Sequence, residues 1–250
     1  MLGMQRDHGF IRDPYGNFTT FDPLGSISTR VVSITAGGAT VGTYQDSNNP
    51  FVIHGFVRED NGKITPFDPP GSISTTPDSI NPKGTIAGYY RVEDLSLHGF
   101  VRRPNGTIVP FDPPGSISTV VTGMNYAGTI TGYYTVRVTN LPGYAVRTFG
   151  FVRHPDGKFT FFDPDINTFP TSINNEGAIT GGFSPHPGEP GHDFVRSPGG
   201  SITIFDPPTT LGCGDPTTPA QPTSMNDKGV ITGFCRSGDF SMTPGWVRFP

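Results

Sequence analysis

Four histidines recur at one position of a repeated string: His8, His54, His98 and His192 each open a His-Gly-Phe or His-Asp-Phe triplet. Imidazole binds metals and exchanges protons near neutral pH, so a recurring histidine invites both readings. An arginine follows each triplet and an aspartate lies ten residues beyond it, in the pairs Arg12 and Asp22, Arg58 and Asp68, Arg102 and Asp112, Arg153 and Asp163, Arg196 and Asp206. A catalytic constellation is needed once, whereas five copies at a fixed offset mark a structural device. Equivalent positions of successive repeats also lie too far apart to converge within the roughly 2 Å of a metal–ligand bond. No metal and no cofactor is therefore expected. Each aspartate is expected to cap the turn after its strand or to pair with the arginine or histidine of its own hairpin.

Residues that break the repeat are better candidates for function. Asp78, Glu93, Asp94 and Asp239 are isolated acids. A polysaccharide hydrolase would need two such carboxylates at a defined separation. No nucleophile stands beside a base and no phosphate-binding loop occurs. Binding chemistry is better represented: Tyr44, Tyr90 and Tyr134 offer rings that can stack on a flat apolar face, and Asp78, Arg91, Arg137 and Arg236 offer charges near them. Of each Tyr-Tyr pair, the first ring is expected to pack between repeats and the second to face ligand. Cys213 and Cys235 are 22 residues apart, a spacing compatible with a disulfide or with two unlinked thiols, but not with a metal knuckle.

The elements that position these residues follow from self-similarity. HGFIRDPYGNFTTFDPLGSIS from His8 recurs as HGFVREDNGKITPFDPPGSIS from His54 and HGFVRRPNGTIVPFDPPGSIS from His98, with weaker copies from Phe149 and His192 and a closing GWVR at 245–248. Between them stand five copies of a second block, such as SINPKGTIAGYY from Ser79. Each period alternates apolar and small residues in four short runs, which we label strands A to D, punctuated by Asn-x-x-Gly, Pro-Asn-Gly and Asp-Pro-Pro-Gly turns. The 34 Gly and 27 Pro thus become turn punctuation, and 20 Phe with 8 Tyr provide core area. Few residues favour helix.

Four antiparallel strands per period predict an all-β fold, a five-bladed β-propeller of four-stranded antiparallel blades over residues 1–250, with a six-bladed ring completed by other sequence as the alternative. The repeat contains five A, five B, five D and six C strands. Closure is expected through Asn17–Asp22 supplying strand D to the last blade, which leaves one C strand in surplus. The A–B and C–D turns are short and uniform. The insertions 135–148, 184–191 and 209–221 all fall on the opposite face, where D–A and B–C loops meet. Function is expected there.

The order SIN..G.I.GYY, then HGF, then FDP resembles the HAF-type extracellular repeats of bacterial proteins, over about His8 to Arg248, with His-Gly-Phe where the family's name implies His-Ala-Phe. The resemblance implies a repeat fold and an extracellular or periplasmic location. It brings no catalytic residue. A net charge of −4 without a basic cluster excludes the electrostatic footprint of a nucleic-acid binder, and no apolar run reaches membrane-spanning length. The sequence therefore predicts a monomeric, non-catalytic binding or scaffold module with a glycan or protein ligand on the loop face; the alternative is a polysaccharide-acting hydrolase or lyase.

Overall fold

A computed structural model describes residues 7–138, 146–184, 191–206, 221–235 and 245–250. All regular structure among them is β-strand. The chain forms two compact units, Met1–Phe111 and Asp112–Pro250.

The first unit begins with a two-stranded sheet, β1 (Gly9–Arg12) and β2 (Phe18–Phe21). Two four-stranded sheets follow: β3 (Ser26–Ile34), β4 (Thr40–Asp46), β5 (His54–Arg58) and β6 (Ile64–Phe67); then β7 (Ser74–Ile80), β8 (Ile86–Arg91), β9 (Leu97–Arg102) and β10 (Ile108–Phe111). The second unit holds β11 (Ser118–Met124), β12 (Ile130–Arg137), β13 (Val146–Arg153) and β14 (Phe159–Phe162) in one sheet, and β15 (Thr168–Ile173), β16 (Ile179–Phe183), β17 (His192–Arg196) and β18 (Ile202–Phe205) in the next. Its last sheet has three strands, β19 (Gln221–Met225), β20 (Ile231–Phe234) and β21 (Gly245–Arg248). Within each of these sheets the strands pair antiparallel and sequentially, in the order A-B-C-D, and one isolated parallel bridge joins Ile53 to Ser74 of the next sheet. Counted by their A–B hairpins there are five blades, and the fold belongs to the five-bladed β-propeller class.

The strand expected to complete the last blade, Asn17–Asp22, is β2 of the first unit. Strand β2 pairs with β1, from Gly9 opposite Phe21 to Arg12 opposite Phe18, and β21 pairs with β20 alone among the described residues. The reason is local. Asp13 closes the β1–β2 turn by accepting the backbone N–H groups of Tyr15 and Asn17 at 2.9 and 2.8 Å, and a contact between sequence neighbours has little loop-closure entropy to overcome. Both outer C strands are thus in regular pairings. The insertion at 135–148 is also partly ribbon, with Thr135 opposite Thr148 and Arg137 opposite Val146.

Each blade is built on the same residues. The Phe of the repeated triplet, Phe56, Phe100, Phe151 or Phe194, is fully buried, as are Ile86, Ile130, Ile179 and Ile231 of strand B. Burying each such side chain is worth about 2–3 kcal/mol. The A–B turn is an Asx turn: Asn81 accepts the N–H groups of Lys83 and Thr85 at 3.1 and 3.0 Å, and Gly84 takes a positive φ of 77°. In the second unit the same Asn also reaches across blades. Asn125 Nδ2 donates to the carbonyl of Asn174 at 3.3 Å, and Asn174 Nδ2 donates to that of Asn226 at 3.2 Å.

Each A strand contains a bulge, at Val32, Asp78, Thr122, Thr171 and Thr223. The glycine opposite it on strand B makes room. A Cβ on Gly42, Gly88, Gly132, Gly181 or Gly233 would collide with the carbonyl oxygen of Arg30, Thr76, Val120, Phe169 or Gln221. These strand-B glycines therefore serve the bulge within a blade rather than close approach of neighbouring sheets.

Candidate functional site

The repeated polar residues form a clasp between blades. His54 Nδ1 lies 2.7 Å from Asp68 Oδ2, and the hydroxyl of Thr75, on the next blade's A strand, donates to Asp68 Oδ1 at 2.5 Å. His8 meets Asp22 at 2.6 Å and His192 meets Asp206 at 3.0 Å. Thr119 donates to Asp112 at 2.5 Å, while Ser96 Oγ lies 2.9 Å from His98 Nε2. Partial burial pushes the Asp22 carboxyl up, but the Thr29 hydroxyl and His8 outweigh it and hold the group below the usual carboxylate range. Where the fourth repeat has Phe149 in place of His, Arg147 two residues earlier takes over and pairs with Asp163. Of the two partners expected for each aspartate, the histidine is the one found in these three repeats. The arginines instead stack on the preceding blade: Arg58 lies 4.9 Å from the Phe21 ring centroid, Arg102 5.0 Å from Phe67, and Arg196 5.1 Å from Phe162.

The tyrosines chosen from sequence are core residues. Tyr44, Tyr90 and Tyr134 are each 8% exposed, with Tyr44 against His54, Tyr90 against His98 and Tyr134 against Phe149 at centroid separations of 5.1, 5.4 and 5.6 Å. The second ring of each Tyr-Tyr pair, expected to face ligand, is thus a core residue that packs on its own hairpin. Arg91 and Arg137 are exposed at the ends of β8 and β12, and Glu93 and Asp94 are exposed in the β8–β9 loop, Asp94 accepting from Ser96. Asp78 occupies the β7 bulge, accepts from Ser79 at 2.7 Å and is raised by burial to about 6. Arg236, Asp239 and Cys213 lie outside the described residues. Cys235 is fully buried and disulfide-bonded, which decides between the two readings of the cysteines.

The feature that sequence reading missed is a cleft of about 520 Å³ in the second unit. It opens at the ends of β15, β16, β17 and β19 where the B–C and D–A loops attach, and runs down along three A strands to the bulge residues Thr122, Thr171 and Thr223. Tyr133 and Phe169 line one side, in an edge-to-face pair 5.3 Å apart that bridges consecutive blades. One blade further on, the equivalent positions are Gly182 and Gln221, as the strand registers show. With a ring at neither position, the cleft is open on this side.

A third departure sits beside it. Strand C has Gly9, Gly55, Gly99 and Gly150 at the second position of the triplet, and Asp193 in the fifth copy. Asp193 pairs across the ladder with Gly182, so its side chain shares a sheet face with the missing one. Its Oδ1 would lie 3.5 Å from a Cβ at Gly182. Asp193 is 1% exposed, and neither carboxyl oxygen has a hydrogen-bond partner. Desolvation, with a further push from the charge of Asp206, raises it to about 8. The buried hydroxyl of Thr122 is also unpartnered, whereas its counterparts Thr171 and Thr223 donate to the carbonyls of Thr180 and Thr232 at 3.3 and 3.2 Å. The departures at 182 and 193 were visible in the alignment of repeats, whereas the position of Gln221 holds no repeat residue, its equivalents being Arg30, Thr76, Val120 and Phe169.

No family model and no curated protein sequence matches the chain. Among solved structures it is similar to a puromycin hydrolase mutant complexed with PGG, with a TM-score of 0.50 and 14% identity over 85% of this chain and 36% of that one. The chain thus spans about a third of the hydrolase, and the likeness is one of fold. A mutant of AofleA from Arthrobotrys oligospora aligns at TM-score 0.47 and 17% identity, over 88% of this chain and 69% of that one. A mutant of the Aleuria aurantia lectin in complex with Fucalpha1-6GlcNAc aligns at 0.28 and 13%, over 90% and 93%.

Proposed function

We propose that the protein is a non-catalytic binding module of the HAF-type repeat family, exported from the cell, that holds a glycan in the cleft of its second unit. The observation that carries this reading is the combination of apolar and aromatic lining with two buried polar groups, the Thr122 hydroxyl and the Asp193 carboxyl, that the protein itself leaves without partners. Buried polar groups are normally satisfied, and an orphan beside a cavity is a place for a ligand's hydrogen bonds. Tyr133 and Phe169 provide ring faces and edges for the apolar side of a pyranose, and Ser184, His192 and Gln221 provide polar groups at the mouth. The described residues that line the cleft include no carboxylate, and a glycosidase would need a pair of them. No helix among the described residues is long and apolar enough to cross a membrane.

Binding is tested on a glycan array followed by calorimetry. Gly182→Tyr, which restores the residue found at the equivalent Tyr89 and Tyr133 positions, is expected to abolish binding by at least tenfold while leaving the melting temperature unchanged. A cleft-filled variant that binds as well as the parent, or turnover of a polysaccharide by the parent chain, overturns the proposal.

A further inference from the structure

Resting on the reading of the cleft as a glycan site, we infer that its ligand carries a protonated amine, an amino sugar with a free amino group, whose ammonium is received by Asp193. Among the described residues that line the cleft there is no lysine or arginine. The nearest arginine along the strand, Arg196, is committed to the Phe162 ring at 5.1 Å. The ionised neighbour that acts on Asp193 is another acid, Asp206. Asp206 has His192 at 3.0 Å, whereas Asp193 has nothing.

A buried carboxyl without a donor is costly, and glycine is what the other C strands place there. A neutral hydroxyl would satisfy one oxygen. An ammonium satisfies both oxygens with charge-assisted bonds, and its charge is also attracted by Asp206. Access is provided by Gly182: where the preceding blade has the Tyr133 ring, this blade has a glycine that lines the cleft, and Asp193 Oδ1 lies 3.5 Å from the place of its missing Cβ. The Tyr133 and Phe169 rings add a π surface to the same cleft, which favours a cation over a neutral acetamide. These residues act together. Residue 182 opens the path, residue 221 places no ring beside it, and residue 193 supplies the charge.

The discriminating experiment is calorimetry of the intact chain at pH 7 with three probes of equal length: glucosamine oligomers, N-acetylglucosamine oligomers and cello-oligosaccharides. The expected result is at least a tenfold preference for glucosamine oligomers, lost in Asp193→Asn, together with ionisation of the Asp193 carboxyl carbon signal in NMR on addition of the amine. Asp193→Gly, the repeat's own residue, keeps the fold and is expected to lose the same preference. Equal binding of the acetylated or neutral oligomers overturns the amine assignment while upholding the glycan site. A preference retained in both variants overturns the role of Asp193. Failure of every probe overturns the glycan reading as well.

Discussion

A carboxyl group that is 1% exposed and touches no donor leaves a thermodynamic trace. Asp193 is raised from 3.8 to about 8 by burial and by Asp206. Between those values the folded chain holds a proton that the unfolded chain has released, so this group makes stability fall as pH rises, by up to about 1.4 kcal/mol per pH unit. Asp78, raised to about 6 by burial against the pull of Ser79, contributes in the same sense over the lower part of that range. Urea denaturation from pH 4.5 to 8.5 is expected to show a declining midpoint in the parent and a flatter one in Asp193→Gly. A variant with the parent's slope would show that the carboxyl is already ionised or solvated. The clasp residues make a prediction of opposite character. Asp68→Ala removes the bonds to His54 and to the buried Thr75 hydroxyl, and is expected to cost about 2–3 kcal/mol in the same assay.

At the level of the strand, the bulge and its facing glycine are one element. The bulge turns residues such as Thr122, Thr171 and Thr223 out of the ladder, and the cleft is lined by these three side chains because of it. The carbonyl displaced by each bulge occupies the space of a Cβ on strand B. Gly132→Ala would set a methyl against the Val120 carbonyl, backbone against backbone, with no flexible side chain to move. We expect a loss of about 3 kcal/mol, the upper part of the usual overpacking range, and measurable by thermal melting. Gly182→Ala is the control. Its Cβ would meet Asp193 Oδ1 at 3.5 Å and the His192 carbonyl at 3.6 Å, ordinary contact distances, so its melting temperature is expected to stay within a degree or two of the parent's.

Across the molecule, the blades repeat a framework and the second unit departs from it. Within that unit the Asn125, Asn174 and Asn226 series joins blades at the A–B turns, and the opposite ends are left for the cleft. Cys235 anchors the last sheet: it is fully buried in a cluster with Met225, Ile231 and Trp246 and is disulfide-bonded. Cys235→Ser is expected to destabilise the chain by about 3 kcal/mol, and reduction of the parent by dithiothreitol to lower its melting temperature to that of the variant. A melting curve unaffected by reductant would exclude a structural role for the bond.

The period, the order of four strands, the turn residues and the buried Phe of each triplet were all legible from sequence, because local turn chemistry and the alternation of side chains act within a single repeat. The same locality made the five copies of Arg and Asp readable as structure rather than catalysis. Which partner Asp68 takes was not readable: Arg58 and His54 are both near in sequence, and only packing of the preceding blade's Phe21 under Arg58 assigns the histidine to the acid. The burial of Tyr90 and Tyr134 was not readable for a similar reason, since strand periodicity defines two faces without saying which is core. The β1–β2 pairing was decided by the Asp13 turn against a more distant partner. The cleft needed three-dimensional structure most of all. Gly182, Asp193 and Gln221 are scattered over forty residues; they become a site because the ladder sets Asp193 opposite Gly182, and packing of successive blades brings Gln221 to the same cavity.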